Sequence, residues 1–332
     1  MPPRSRKNAV THFNVMVVGF SGVGKTCFVR TLLETLSLEE KTEDTPLKKR
    51  RDSFMSENSN IVVHEEQLQG PIEKTLIPYT ISREIEVDRE RLVLTIIDTP
   101  GFHQEYLESK VKRNPKAVDT QVHCCLYFID PKKSALDEFD IRILKRLSNR
   151  VNVIPIIGKA DHLTLAQRNR LKPSIIKDIY TNHKIPIYGM PDEEEEEEDE
   201  EEEGEEKKEK TKEPQSLDSF LSQFDYENED VDTQSVLDYL RIIPFTFIAY
   251  EDDPGTGKPI ELENNIKLGR DFGWGSIDCL GEKYSDFIKL KNALLSGHRR
   301  YLQLDTVERY YEQYRTERLM YKRATKIGLP IP

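Results

Sequence analysis

Short runs of β-branched and aromatic residues alternate along this chain with stretches whose apolar positions recur every three to four residues. The first pattern predicts strands over Asn14–Val18, Leu92–Ile97, Val122–Ile129, Asn152–Ile157 and Phe245–Ala249, and their density of Val and Ile implies burial on both faces. The second predicts helices over Cys27–Leu36, Leu136–Ser148, Thr164–Tyr180 and Tyr284–Tyr301, the last running on toward Arg323. Strand and helix in alternation argue for an α/β fold, a three-layer sandwich around a mainly parallel sheet. No internal repeat is visible.

Two segments interrupt this order. Residues 37–69 are polar and weakly periodic, carry the basic run Lys48–Arg51, and read as a long surface loop. Residues 189–233 hold the tract Asp192–Glu206, with fourteen acidic side chains in fifteen positions. Self-repulsion and a shortage of apolar side chains leave nothing to offset the ordering entropy, so a disordered insertion is expected, with a brief helix over Leu217–Phe224.

That tract distorts the charge balance. The 332 residues carry a formal charge of −11, yet of 60 acidic residues the tract holds 14, which leaves 46 against 49 Lys and Arg. The body is near neutral, and no nucleic-acid partner is expected. Cys27, Cys124, Cys125 and Cys279 lack both a disulfide framework and CxxC spacing, and read as buried residues of a reducing compartment. Ile242–Tyr250, the longest nearly apolar stretch, is about half a bilayer span. Met1–Asn8 is basic without a hydrophobic core region, so a cytoplasmic location is expected.

Three motifs carry chemistry. Gly19-Phe20-Ser21-Gly22-Val23-Gly24-Lys25-Thr26 fits GxxxxGK[ST] without a mismatch and lies between an expected strand and helix. Its glycines let the backbone curl so that N–H groups from Gly19, Ser21, Gly22, Gly24 and Cys27 cradle an anion, and the following helix directs its positive end to the same point. Lys25 then reaches the β- and γ-phosphates, and Thr26 offers its hydroxyl to Mg²⁺.

Asp98-Thr99-Pro100-Gly101 follows the strand Leu92–Ile97, where α/β sheets bind ligands. Asp98 is placed to hold the water shell of Mg²⁺, and the Gly101 amide to sense the γ-phosphate. Alone this is a common turn sequence. Beside the glycine-rich loop it becomes the second half of a metal–nucleotide site.

Gly158-Lys159-Ala160-Asp161 follows the strand Asn152–Ile157. The Asp161 carboxylate accepts from guanine N1–H and N2–H together, while the Lys159 stem lies against the base. Adenine offers no such donor pair, and a buried carboxylate facing it loses about 1–3 kcal/mol. The bland alternative is a strand-end turn in which Asp161 caps a helix. Beside the two earlier motifs, GTP or GDP rather than ATP is the expected ligand.

The surrounding sequence resembles the septins. Val122-His123-Cys124-Cys125-Leu126-Tyr127-Phe128-Ile129 and Asp98-Thr99-Pro100-Gly101-Phe102 look like septin segments, and Gly269-Arg270-Asp271-Phe272-Gly273-Trp274-Gly275 is similar to the family's GRxYPWG element, with Phe for Tyr and Gly for Pro. Asp286–Leu295 and Tyr310–Arg315 are similar to the terminal helices of the family. The chain is accordingly identified as a divergent member of fungal type, with a basic segment over 1–13, a GTP-binding domain of P-loop NTPase type with C-terminal helices over 14–318, and a tail over 319–332 without a coiled coil.

The resemblance implies a guanine-nucleotide-binding subunit of a hetero-oligomeric filament or ring that serves septation, cytokinesis or polarised growth at the cell cortex or division site. Its partners would be other septin subunits, met at the nucleotide side and through the terminal helices. Arg270 would lie against guanine, and Trp274 and His123 would help form the nucleotide-side contact. Arg4, Arg6 and Lys7 occupy the family's phosphoinositide-binding position, worth about 1 kcal/mol per charge.

Departures from the family pattern bear on hydrolysis. The segment between Gly101 and Val122 is short, and Ser82 stands where hydrolysing members place a catalytic threonine, with Thr80 and Thr75 as nearby candidates. Ala249-Tyr250-Glu251 replaces the usual GSN. GTP binding with slow or absent hydrolysis is therefore expected, and a monomeric signalling GTPase is the alternative.

Overall fold

The computed structural model describes residues 10–42, 74–88, 90–101, 121–190, 217–222, 224–260, 262 and 266–327. The basic N-terminal residues, the Lys48–Arg51 run, the segment after Gly101 and the acidic tract lie outside them. Six strands form one sheet: β1 (Thr11–Gly19), β2 (Tyr79–Val87), β3 (Glu90–Asp98), β4 (Cys124–Ile129), β5 (Asn152–Ile157) and β6 (Phe245–Thr246), in the order β2-β3-β1-β4-β5-β6. All neighbours pair in parallel except β2, which runs antiparallel to β3.

Every residue of β4 and β5 is buried, as their unbroken apolar runs require. Sequence periodicity did not reveal β2, and its composition shows why. Along Tyr79–Val87 only Tyr79, Ile81 and Ile85 are buried, while Arg83, Glu84 and Glu86 are not, which suits an edge strand protected by charge.

Two contacts establish the layers. Tyr127 of β4 donates its hydroxyl to Asp140 of α2 (Glu138–Ser148) at 2.6 Å, whereas the next residue, Phe128, meets Phe28 of α1 (Lys25–Thr42) edge-on at 5.5 Å. Successive strand residues point to opposite faces, so α1 and α2 cover opposite faces of the sheet. On the α1 side Phe28, Phe128, Phe247 and Phe287 form an aromatic cluster with centroids 5.2–6.2 Å apart. Each such pair adds about 0.5–1.5 kcal/mol beyond the burial of its area.

Phe287 opens the terminal helices, α6 (Phe287–Asn292), α7 (Arg299–Asp305) and α8 (Glu312–Ile327), joined by wide turns over Ala293–Gly297 and Thr306–Tyr311. The residue before them, Asp286, is buried and accepts from Arg168 at 2.8 Å, Lys172 at 2.9 Å and the Thr246 hydroxyl at 2.6 Å. It thereby ties α3 (Leu165–Ile176) and β6 to the start of α6. Helix continues through residues 319–327, so most of the expected tail belongs to α8.

Both insertions are narrower than the sequence suggested. Helix α1 runs through Ser37 to Thr42, and α5 (Val231–Ile242) begins before the expected end of the acidic segment; α4 (Leu217–Leu221) is the brief helix anticipated there. Among the described residues no helix is long and apolar enough to cross a membrane.

His123 is not at the nucleotide side. It precedes β4, at the end of the sheet opposite the glycine-rich loop, where its ring accepts from the Asn14 N–H at 2.9 Å and stacks on Phe13. Its carbonyl accepts from Asn152, which also donates to Leu302 of α7. The role expected of it in the nucleotide-side contact is therefore corrected: its neighbours are β1, β5 and the terminal helices.

Burial, with a smaller contribution from His12, holds the His123 imidazole down at about 4. The unfolded chain takes up this proton below about pH 6.5 while the native protein does not, so the stability due to neutral His123 is lost as the pH falls from 6.5 through about 4. We expect His123→Gln to flatten the decline by roughly 1–2 kcal/mol. Urea midpoints of both proteins at pH 7 and pH 4.5 measure it, and parallel declines would refute the assignment.

Candidate functional site

β1 ends at Gly19, and the chain turns through Phe20–Gly24 before α1 starts at Lys25. Gly22 and Gly24 hold φ values of +80° and +99°, where a side chain would be strained. No acidic residue occupies the first turn of α1, so nothing on the helix itself neutralises its positive end. Lys25 is buried and folds back, its Nζ donating to the carbonyls of Gly19 at 3.0 Å and Phe20 at 2.8 Å. Burial lowers its ammonium to about 8 against the opposing pull of Asp98. An unneutralised helix end and a poorly solvated cation make this loop a receptor for anions.

The end of β3 closes over it. Gly101 packs so tightly that an added Cβ would fall 2.3 Å from Ser21 Cα, an approach only glycine permits. Thr99 fixes the turn by donating to the Val17 carbonyl at 2.7 Å. Asp98 is fully buried; one carboxylate oxygen accepts from Thr26 at 2.7 Å and Thr75 at 3.3 Å, and the two threonine hydroxyls lie 3.1 Å apart. The second oxygen, Asp98 Oδ1, is buried without a hydrogen-bond partner among the described residues.

A cavity of about 340 Å³ runs along this surface, lined by Ser21, Gly22, Gly24, Lys25, Thr26, Cys27, Lys74, Thr75, Thr99, Gly101 and Lys159. The phosphate-loop residues, the Asp98 turn and the lysine after β5 are thus brought together as expected. Burial raises the Cys27 thiol, with Asp252 adding to it, and keeps it protonated at neutral pH.

Lys159 adopts a left-handed backbone, φ +49°, which lets Ala160 donate to the Phe247 carbonyl at 2.9 Å and sets the stem of Lys159 beside Gly24. Two residues on, Asp161 is 2% exposed, one oxygen lies 3.5 Å from Arg270 Nη1, and Asp161 Oδ1 is buried without a partner. Arg270 belongs to a two-stranded hairpin, β7 (Gly269–Asp271) and β8 (Ser276–Asp278). Its guanidinium sits 5.6 Å from the Phe272 ring, and Phe272 stacks on Trp274. Trp274, the single tryptophan, is 82% exposed at the hairpin tip.

The two residues singled out for hydrolysis do not reach the cavity. Ser82 pairs across the strands with Thr95, hydroxyl to hydroxyl at 3.0 Å, and Thr80 pairs with Ile97. Both alternate with Tyr79, Ile81 and Arg83; Arg83 reaches the Leu33 carbonyl of α1, so Ser82 and Thr80 lie on the face away from α1. Thr75, ahead of the strand, takes the position at Thr26 and Asp98 instead. The sequence signal was the undetected strand: with β2 placed at Tyr79, only residues before it fall beside the end of β3.

Cofactor fit follows from these atoms. Among the described residues no group of three His, Cys, Asp or Glu is gathered for a metal. A divalent ion here would rest on hydroxyls, water and phosphate oxygens, the mode suited to Mg²⁺. Asp98 Oδ1 and Asp161 Oδ1 are two buried acceptors that native structures rarely leave unpaired. A hydrated cation would supply donors to the first, and guanine N1–H and N2–H would supply them to the second.

A family model described as Septin matches residues 9–218 and 212–327. The chain is 32% identical to "Septation protein 7" of Candida albicans over 92% of its own length and 48% of that relative. It is 30% identical to "Septin-2B" of Xenopus tropicalis over 95% of itself and 78% of the relative. Against "Cell division control protein 11" of Saccharomyces cerevisiae the figures are 32%, 94% and 67%. The chain therefore spans about half of the first relative and two thirds or more of the others. The crystal structure of the septin GTPase domain from Chlamydomonas reinhardtii superposes with a TM-score of 0.50 at 20% identity, covering 92% of this chain and 99% of that one. Fold, motifs and family model agree, and the chain belongs to the septin family.

Proposed function

We propose that this protein is a guanine-nucleotide-binding subunit of a septin filament or ring, acting as a scaffold in septation and cell division. The observation that carries the reading is the pair of buried carboxylate oxygens without a close partner among the described residues, Asp98 Oδ1 and Asp161 Oδ1. The first is on a carboxylate bonded to Thr26 and the second is two residues beyond Lys159, and Thr26 and Lys159 both line one cavity of about 340 Å³. In it Lys25 and the loop amides hold the phosphates, Thr26 and Asp98 hold Mg²⁺ and its water, Asp161 reads the base edge, and Lys159 and Arg270 flank the base. Thr75 replaces Ser82 and Thr80 as the residue that positions water, and turnover is slow.

Partners are other septin subunits. Trp274 supports this, since a large aromatic exposed beside the base site offers desolvation energy to a neighbouring chain. Anionic phosphoinositide surfaces are a second, weaker partner of the basic residues Arg4, Arg6 and Lys7. Placement at the cytoskeleton of the cortex or division site follows from this assembly. Acid extraction of the purified protein should release GDP or GTP, and sedimentation at low salt should show dimers or filaments. A nucleotide-free monomer that stays so after incubation with GTP would overturn the reading, and a nucleotide-bound monomer would point to a signalling GTPase.

Two further outcomes are expected. Asp161→Asn should weaken GDP binding by roughly 5- to 150-fold, the worth of about 1–3 kcal/mol, and gain affinity for xanthosine nucleotides; competition binding with GDP and XDP measures both. With its ammonium lowered to about 8, Lys25 sheds its proton in alkali and loses its attraction for phosphate. GDP affinity should therefore fall above about pH 8, approaching tenfold per pH unit, and the slope should flatten in Lys25→Arg, whose guanidinium keeps its proton. A wild-type affinity that is constant from pH 7 to 9.5 would contradict this.

A further inference from the structure

Tyr79 opens β2 directly across from Asp98 and shares the face that carries Ile81 and Arg83 toward α1. It is 7% exposed. Its hydroxyl is buried beside the Asp98 carboxylate and the Thr26 hydroxyl, with Arg30 nearby, and stops short of a close, well-aligned hydrogen bond to either. A purely structural aromatic here needs only a ring, and phenylalanine would leave no polar atom unsatisfied. Two buried oxygens thus stand at one place with hydrogen-bonding capacity to spare, Asp98 Oδ1 and Tyr79 Oη, beside the hydroxyls of Thr26 and Thr75.

We propose that Tyr79 is a positioning residue of the divalent-cation site, holding a metal-bound water jointly with Asp98. The inference rests on the nucleotide-binding reading above. Water bound to a cation gives up its lone pair to the metal and presents two hydrogens, so its surroundings must supply two acceptors. Asp98 Oδ1 takes one hydrogen and the phenolic oxygen takes the other. Such outer contacts fix the orientation of a hydrated ion, and their loss typically weakens metal affinity 10- to 100-fold. Tyr79 touches neither base nor phosphate in this account, so its effect is confined to the metal.

Tyr79→Phe keeps the ring and removes the oxygen. GDP release from the loaded protein is to be followed while Mg²⁺ is titrated, and again in excess EDTA, with Mn²⁺ binding to the GDP complex read by electron paramagnetic resonance. The Mg²⁺ concentration that half-suppresses release should rise about tenfold or more, Mn²⁺ binding should weaken in step, and release in EDTA should match wild type. Equal Mg²⁺ midpoints in two folded proteins overturn the inference, as does an equal loss with and without metal, which would mark a structural role. Should the variant not fold, wild-type protein carrying 3-fluorotyrosine serves: a Mg²⁺-dependent change in the Tyr79 fluorine resonance supports the proposal and an unmoved one refutes it. Wild-type protein that holds no GDP would instead refute the nucleotide reading itself.

Discussion

The hydrogen bond from Thr26 to Asp98, 2.7 Å long and partly buried, joins the two halves of the site. Thr26 lies in the first turn of α1 and Asp98 ends β3, and parallel pairing of β1 with β3 brings them side by side from 72 residues apart. A bond to a buried carboxylate contributes about 1.5–3 kcal/mol, more than a neutral one. It also leaves Asp98 with one oxygen committed to the threonines and the other, Oδ1, without a close partner among the described residues, the asymmetry that the proposed hydrated cation would use. Nothing larger than glycine fits at Gly101, because the turn after Asp98 rests on the backbone of Ser21.

Behind this face the sheet is locked from its other end. Asn152 donates to the carbonyls of His123 and Leu302 at 3.1 Å each, linking β4, β5 and α7; at the site end, where Thr246 pairs with Ile157, the Asp286 cluster links α3 and β6 to α6. Buried charge clusters of this type contribute little net stability but tolerate few alternative arrangements. The aromatic cluster supplies the nonspecific part, and Phe28 in it lies two residues after Thr26. Terminal helices, sheet and phosphate loop therefore share one core.

A second path leads outward from the base site. Asp161 meets Arg270, Arg270 lies by the Phe272 ring, and Phe272 stacks on the exposed Trp274. The buried Asp161 carboxylate and the exposed Trp274 are thus three contacts apart, the last two within one small hairpin. Replacement of Tyr by Phe in this element keeps the ring that Arg270 and Trp274 use.

Local pattern sufficed where the physics is local. The glycine-rich turn, the carboxylate after β3, the GKAD turn and the fully buried strands β4 and β5 were all legible, because each depends on a few adjacent residues and on strand ends that apolar runs mark. The chain alone also determined the ligand class, since Asp161 after an apolar strand has few other uses beside a phosphate loop. Tertiary structure decided the rest. Strand β2 is held by pairing with β3 rather than by its own charged and mixed sequence, and until its register was known, Ser82, Thr80 and Thr75 were indistinguishable. The same holds for His123, whose place at the far end of the sheet is set by strand direction, and for Tyr79, whose neighbour Asp98 lies 19 positions away in the chain. Pairing between distant segments fixes which side chains share a face, and no window of sequence contains it.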